Sequence, residues 1–218
     1  MTTEVLGTQL PGRRERKKLA TRRALQDVAL RLVAERGLDQ VTVEDISEAA
    51  DVATRTFFNY FSSKEEALLG NVPEKEVTVH RLVVDRPATE SPLEAVCQVL
   101  RTMTLRLAER REELLLRQRV IDRHPGLIAR QLGMYASFER ALTAAVAERL
   151  GLEPADALYA RVVAAAAVAA ARSAVSSWMA DQGRRPLADM VDAAFLHLRD
   201  LGSPPAAASA GPAGGTRP

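Results

Sequence analysis

The segment at residues 42–69 constrains the fold most, because its helix-capping and helix-breaking residues are closely spaced. They predict short helices and tight turns within a small length of chain. Thr42, with an acidic residue three positions later, is a capping signature that starts a helix. Asp51 interrupts the apolar pattern of that helix, and a new pattern begins at about Ala53. A pair of serines followed by glutamates then predicts the start of a further helix. We therefore expect a cluster of short helices here.

The rest of the chain also predicts helices. From Ala24 onward apolar residues recur at spacings of three and four, and Gly37 ends that pattern. No stretch shows strand alternation, and aromatic residues make up only 4% of the chain. The sequence therefore predicts an all-α fold. The remaining predicted helices fall at 74–84, 93–110, 112–122, 126–150, 155–182 and 187–201.

Composition divides the chain into four regions. Residues 1–12 are polar and carry glycine and proline, which predicts a flexible N-terminus. Residues 13–70 hold the first helices and begin with a basic arm, whereas residues 71–201 form a larger helical region. Residues 202–218 are low in complexity and predict a disordered tail.

The basic arm at residues 13–23 concentrates positive charge at one end of the chain. Seven cations against one acid give it a local charge of +6, in a chain whose net charge is only +2. The cations are Arg13, Arg14, Arg16, Lys17, Lys18, Arg22 and Arg23. Such a cluster indicates a polyanionic partner, and the alternative is a solvated helix face.

Several classes of site find no support in the sequence. Cys97 is the only cysteine, and His80, His124 and His197 lack metal-ligand spacing, so no metal site and no cofactor is predicted. No nucleophile motif, phosphate loop or convergent acid pair occurs, so no catalytic residue is assigned. The apolar run at 162–171 is about half of the ~20 residues that a bilayer span needs. We therefore expect a cytoplasmic protein without a membrane contact.

The third helix of the short cluster has two different faces. Phe57 and Phe61 share one side, which we expect to pack against the first two helices. The other side carries Arg55, Thr56, Phe58 and Asn59. Arg can bond to guanine and Asn to adenine, while Thr or Phe can touch a thymine methyl group. A short helix that follows a helix and a tight turn is the major-groove reader of a helix-turn-helix. The alternative is an ordinary three-helix bundle with a polar third helix.

Other residues can hold the DNA backbone around this helix. Helix starts favour anions, so Thr42 and Lys64 are placed to hold phosphates, and Tyr60 offers a hydroxyl beside them. The predicted DNA contacts are the seven cations of the arm with Thr42, Thr54, Arg55, Thr56, Phe58, Asn59, Tyr60 and Lys64.

The segment at residues 37–69 resembles the N-terminal domain of the TetR family of bacterial transcriptional regulators. The matching residues are Thr42, Ile46, Ala50, Val52, Tyr60, Phe61, Ser63, Lys64, Glu65 and Leu68. Three residues depart from the family pattern: Asp51 replaces the turn glycine, Ala53 a capping serine and Phe58 a tyrosine. The letters TRTFFNYF resemble an actinobacterial subset that includes mycofactocin-type regulators. The resemblance implies binding to a palindromic double-stranded operator as a homodimer through the last two helices.

The resemblance also implies a small-molecule effector among the middle helices, with release from DNA as the response of a repressor. Candidate pocket residues are Met103, Leu107, Tyr135, Phe138, Arg172 and Trp178. For most of them, packed core is the simpler interpretation. Arg172 lies on an otherwise apolar helical series, and a buried cation needs an anionic partner. This predicts an apolar effector with an acidic group, such as an acyl thioester or a carboxylated metabolite. The alternative is a DNA-binding or architectural protein without an inducer.

Overall fold

Proline and glycine divide the chain into helices, as the sequence predicts. The computed structural model describes residues 12–70, 73–153 and 157–200. Three helices begin at a proline, where the missing N–H costs no hydrogen bond. Gly70 and Gly151 end two helices in the left-handed conformation. The helices are α1 (Arg13–Arg36), α2 (Val43–Ala49), α3 (Thr54–Phe58), α4 (Lys64–Leu69), α5 (Pro73–Val84), α6 (Pro92–Ala108), α7 (Arg111–Asp122), α8 (Pro125–Leu150), α9 (Leu158–Ala180) and α10 (Leu187–Arg199).

The all-α prediction is confirmed, since the described ranges contain helices, turns and bends but no strand. One prediction is wrong: α1 begins at Arg13 rather than Ala24, so the basic arm is the first part of a helix. A 3-10 turn at Leu38–Gln40 was also not expected. The predicted flexible N-terminus, apart from Gly12, and the predicted disordered tail lie outside the described residues.

Two hydrophobic clusters hold the helices together. The first, here called the head cluster, contains Leu25, Ala29, Leu30, Leu32, Val33, Val41, Ile46, Phe57, Phe61, Ala67, Leu68, Val120, Ile121 and Leu127. Most of its members come from α1–α4, which we call the head. The last three come from the end of α7 and the start of α8. These two helices therefore connect the head to the body, α5–α10, whose core is the second cluster.

Helix α9 is the apolar centre of the body. Within the described residues it is the helix long and apolar enough to span a membrane, judged by length and composition alone. Its buried face packs in the body core instead, through residues such as Ala164, Ala167 and Val168. The core helix of a globular protein has the same composition, so we interpret α9 as a core helix.

Candidate DNA-binding site

The start of α2 is fixed by a reciprocal pair of hydrogen bonds. The Asp45 N–H donates to the Thr42 hydroxyl at 3.1 Å, and the Thr42 N–H donates to the Asp45 carboxylate at 2.8 Å. The capping signature is thereby confirmed. The hydrogen bond from the Thr42 side chain, followed by that from its backbone, holds the pKa of Asp45 below its ordinary value. Thr42 itself is exposed at this helix start.

The turn between α2 and α3 adopts the conformation that the sequence suggested. Asp51 has φ of 53°, a left-handed conformation that aspartate adopts more readily than most residues. Ala53 caps α3 without a side-chain hydrogen bond, as expected where alanine stands in place of serine. The turn thus keeps the helix-turn-helix geometry despite both departures from the family pattern.

The two faces of α3 are those predicted from its sequence. Phe57 is fully buried and Phe61 is 2% exposed, with their ring centroids 5.6 Å apart. On the opposite side Arg55, Phe58 and Asn59 are exposed, and we call these three the reading face. Phe58 is 54% exposed, which is unusual for so large an apolar side chain unless something covers it. The neighbouring Thr54, Thr56 and Tyr60 are half-buried.

Lys64 has a role inside the head that the sequence did not reveal. Its ammonium group donates to the carbonyl oxygens of Leu38 and Val41, at 2.7 and 2.8 Å. The start of α4, capped by Ser63, is thereby attached to the loop that precedes α2. A lysine ammonium has three donors, so a phosphate contact through the third stays a prediction.

The basic arm projects as a helix. The described side chains from Arg13 to Ala20 are exposed, and this part of α1 is about 12 Å long at 1.5 Å per residue. Of the seven cations predicted to contact DNA, six are exposed. They are Arg13, Arg14, Arg16, Lys17, Lys18 and Arg23.

Arg22 was predicted to contact DNA, but the structure contradicts its position at the surface. It is only 7% exposed, and its guanidinium lies 4.5 Å from the centroid of the Phe61 ring. It also donates to the Tyr60 carbonyl at 3.4 Å. The reason is that Tyr60 and Phe61, in the segment between α3 and α4, lie beside Arg22, so its side chain turns inward.

The predicted effector residues have different surroundings in the body. Met103 and Phe138 are half-buried and pack against the body core, and Trp178 is 2% exposed with its indole N–H donating to the Arg185 carbonyl at 3.0 Å. The side chain of Leu107 lies outside the described residues. Packed core therefore describes Trp178 best.

The expectation that Arg172 is buried is wrong. Arg172 is exposed, and its guanidinium lies 4.4 Å from the centroid of the half-buried Tyr135 ring. The same helical face includes Leu158 and Val162, which are 71% and 57% exposed, so most of this face points away from the core. Burial raises the pKa of Tyr135 above its ordinary value, and the Arg172 charge opposes that rise.

Two open clefts lie elsewhere in the structure. One, of about 540 Å³, separates α1 from α7, and the other, of about 630 Å³, runs between α9 and α10. None of the five predicted effector residues whose side chains are described lines either cleft. No sequence motif pointed to the first cleft, because its lining comes from two helices far apart in the chain.

Metal binding has no support in the described ranges, which contain no group of three or more histidine, cysteine, aspartate or glutamate side chains suited to a metal ion. Cys97 is buried, and this burial raises the pKa of its thiol to about 11. It therefore behaves as a small apolar residue of the body core.

Comparison with known proteins matches both parts of the chain. Residues 25–69 match the family model for bacterial regulatory proteins of the tetR family, and residues 90–201 match that for the MftR C-terminal domain. The chain belongs to the TetR family. It is a transcriptional regulator with a DNA-binding helix-turn-helix head, and the resemblance seen in residues 37–69 is confirmed.

Relatives within the TetR family match most of the chain. The HTH-type transcriptional regulator TcmR of Streptomyces glaucescens is 32% identical over 197 residues, which cover 87% of each chain. A regulator of Mycobacterium tuberculosis named for mycofactocin biosynthesis, MftR, is 30% identical over 83% of this chain and 90% of its own. FadR from Bacillus subtilis, solved in complex with stearoyl-CoA, has a TM-score of 0.55 at 18% identity, over 81% of this chain and 96% of that one. This last likeness concerns the fold alone.

Proposed function

We propose that this protein is a cytoplasmic, ligand-responsive repressor that binds a palindromic operator as a homodimer and is released by a small-molecule effector. The observation that carries the proposal is the reading face, three exposed side chains on a helix whose opposite side is buried. Arg55 can donate two hydrogen bonds to guanine, Asn59 can bond to adenine, and the Phe58 ring can cover a thymine methyl group. The exposed arm and Thr42 would supply contacts to the backbone.

The dimer would form through α9 and α10. Leu158 and Val162 expose apolar surface on α9, and Leu196 is 50% exposed on α10. The groove between the two helices is lined largely by alanine and serine, whose small side chains allow a second subunit to approach closely. Two-fold pairing would present two α3 helices to successive major grooves, which a palindromic operator requires.

The effector would act through the junction of α7 and α8. Val120, Ile121 and Leu127 are buried in the head cluster although they belong to helices of the body. A change in the position of these helices therefore moves the head, and with it the spacing of two reading faces. The proposed effector site consists of Met103, Leu107, Tyr135, Phe138, Arg172 and Trp178, for an apolar ligand with an acidic group. Arg172 supports this through its accessible charge beside an aromatic ring.

A regulator without an inducer is the second candidate. The observation that favours it is the packed state of Trp178, together with the absence from the two clefts of the five effector residues whose side chains are described. In that case the body would serve only to hold two heads at a fixed spacing.

Footprinting of the full-length protein on the DNA around its own coding region tests DNA binding. We expect a protected palindrome, and an Arg55→Ala variant should bind it about 5- to 150-fold more weakly, since a good bidentate contact contributes about 1–3 kcal/mol. Arg130→Ala removes an exposed body cation and is the matched control. Equal affinity of the two variants would contradict the assignment of the reading face. A screen for molecules that release the operator, repeated with Arg172→Gln, then separates the two candidates.

A further inference from the structure

The cleft between α1 and α7 lies where the head meets the body. Its apolar lining comes from Leu30, which is 2% exposed, and from the half-buried Leu115 and Leu116. Its volume of about 540 Å³ is large enough for a small organic molecule. Within the described side chains, no residue of the reading face, the arm or the proposed effector site lines it.

Part of the charge in this cleft is already paired. The Arg110 guanidinium donates to the Asp27 carboxylate at 2.5 Å and forms a second ion pair with Glu113. Glu113 in turn accepts a hydrogen bond from Arg117 at 2.5 Å. These four side chains are linked by ion pairs, and they join α1 to the start of α7.

Two arginines in the cleft have no such partner. Arg31 projects from α1 and Arg119 from α7, and neither makes a hydrogen bond or an ion pair within the described residues. Glu112 is the remaining acid of the lining without a partner there. Among the unpaired side chains of the lining, two cations therefore stand against one acid, above an apolar floor.

We propose that this cleft is a binding site for a small organic anion with an apolar body. Arg31 and Arg119 would hold the anionic group from the two sides, and the apolar body would lie against Leu30, Leu115 and Leu116. The two unpaired arginines select the sign of the ligand charge, while the burial of its apolar surface supplies much of the affinity.

Occupation of this site has a consequence for the head. The end of α7 is buried in the head cluster through Val120 and Ile121, whereas Arg111 at its start donates to the Gln182 carbonyl in the turn before α10. A ligand between α1 and α7 would fix the separation of these helices and so the position of the head. This regulatory consequence rests on the proposed function, but the binding itself does not.

Fluorescence titration of the full-length protein with 8-anilinonaphthalene-1-sulfonate, an aromatic anion, tests the site. We expect the double variant R31Q/R119Q to bind the probe about fivefold more weakly, because two largely solvated charge contacts are lost. The control R130Q/R161Q removes two exposed arginines of the body and should bind like the natural protein. Leu115→Trp, which fills the cleft and keeps both arginines, should weaken binding as well.

Binding that is unchanged in both R31Q/R119Q and L115W would overturn the proposal. A loss confined to Arg172→Gln would also overturn it, because the probe would then occupy the body site instead. The titration contains no DNA, so a failure of operator binding cannot be mistaken for a failure of this site. Addition of the probe to the operator complex tests the regulatory consequence, and an unchanged complex at saturating probe would refute that part.

Discussion

The head and the body are both helical, but different contacts stabilise them. In the head, α3 has five residues and depends on the burial of a single aromatic ring. In the body, α9 has 23 residues and buries eight side chains, five of which are alanine. The position of the head's helices is therefore set by a few large or hydrogen-bonding residues. In the body, many small contacts together set the positions of the helices. Single substitutions should therefore lower stability more in the head than in the body.

The largest expected effect is that of Phe57→Ala. The Phe57 ring is fully buried between Phe58 and Phe61, so its removal leaves a cavity and should lower the free energy of unfolding by about 3–5 kcal/mol. The matched change in the body, Ala167→Gly, should cost only about 1 kcal/mol. Denaturant unfolding followed by circular dichroism measures both values, and operator binding should be lost only in the first variant. Similar losses in the two variants would remove the distinction between head and body.

The same contrast explains what the sequence could predict. The structure of residues 42–69 follows from local sequence, because Thr42, Asp51 and Phe57 each determine the conformation or packing of residues a few positions away. The all-α fold and the two faces of α3 followed from such local patterns. Helical periodicity also identified the apolar series of α9, but periodicity alone does not say which face meets the core. For that reason Arg172 was placed on the wrong side.

Contacts between distant helices could not be predicted at all. Arg22 belongs to a run of cations and turns inward only because Tyr60 and Phe61 lie beside it. The α1–α7 cleft, with Arg31 and Arg119, depends on a contact between residues far apart in sequence. Such features require the packed structure, since no local pattern distinguishes these arginines from their exposed neighbours.

The next largest loss of stability should come from replacing Arg149, a polar side chain that stabilises the body through hydrogen bonds. The Arg149 guanidinium donates to five carbonyl oxygens at the end of α5 and in the loop that follows. They belong to Val83, Val84, Arg86, Pro87 and Glu90, at 2.7 to 3.3 Å. Arg149→Met should lower the free energy of unfolding by about 2 kcal/mol, because hydrogen bonds to a charged donor are lost and carbonyl groups remain partly buried.

Arg149→Lys separates the contribution of the charge from that of the hydrogen bonds, because a lysine ammonium keeps the charge but cannot reproduce the geometry of the guanidinium donors. We expect it to recover less than half of the lost stability in denaturant unfolding. Operator affinity should remain unchanged in both variants, because Arg149 lies in the body. A full rescue by lysine would show that only the positive charge matters at this position.

The arm should give a smaller effect that depends on salt. Each phosphate contact contributes about 0.9 to the slope of log affinity against log salt concentration. Replacing Arg13, Arg14 and Arg16 by glutamine keeps the helix and should reduce that slope by up to about 2.7. Replacing Arg106, Arg130 and Arg161 changes the net charge equally but removes exposed body cations. Equal slopes for the two triple variants would show that the arm acts only through net charge.

The smallest expected effect concerns the cap of α2. Asp45 has its pKa lowered in the folded head by the Thr42 hydrogen bonds, so its carboxylate stabilises the fold at neutral pH. That contribution is fully present above the ordinary aspartate pKa of about 3.9, and it disappears as pH falls through the lower folded value. Asp45→Asn should therefore reduce stability at pH 7 and differ little from the natural protein in strong acid. Thr42→Ala should cost about 1 kcal/mol at pH 7, but part of this loss should persist in acid, because the Thr42 hydroxyl also accepts the Asp45 N–H. Unfolding measured across this pH range checks both variants: a difference between Asp45→Asn and the natural protein that persists in acid would mean that the Asp45 side chain acts through its shape rather than its charge.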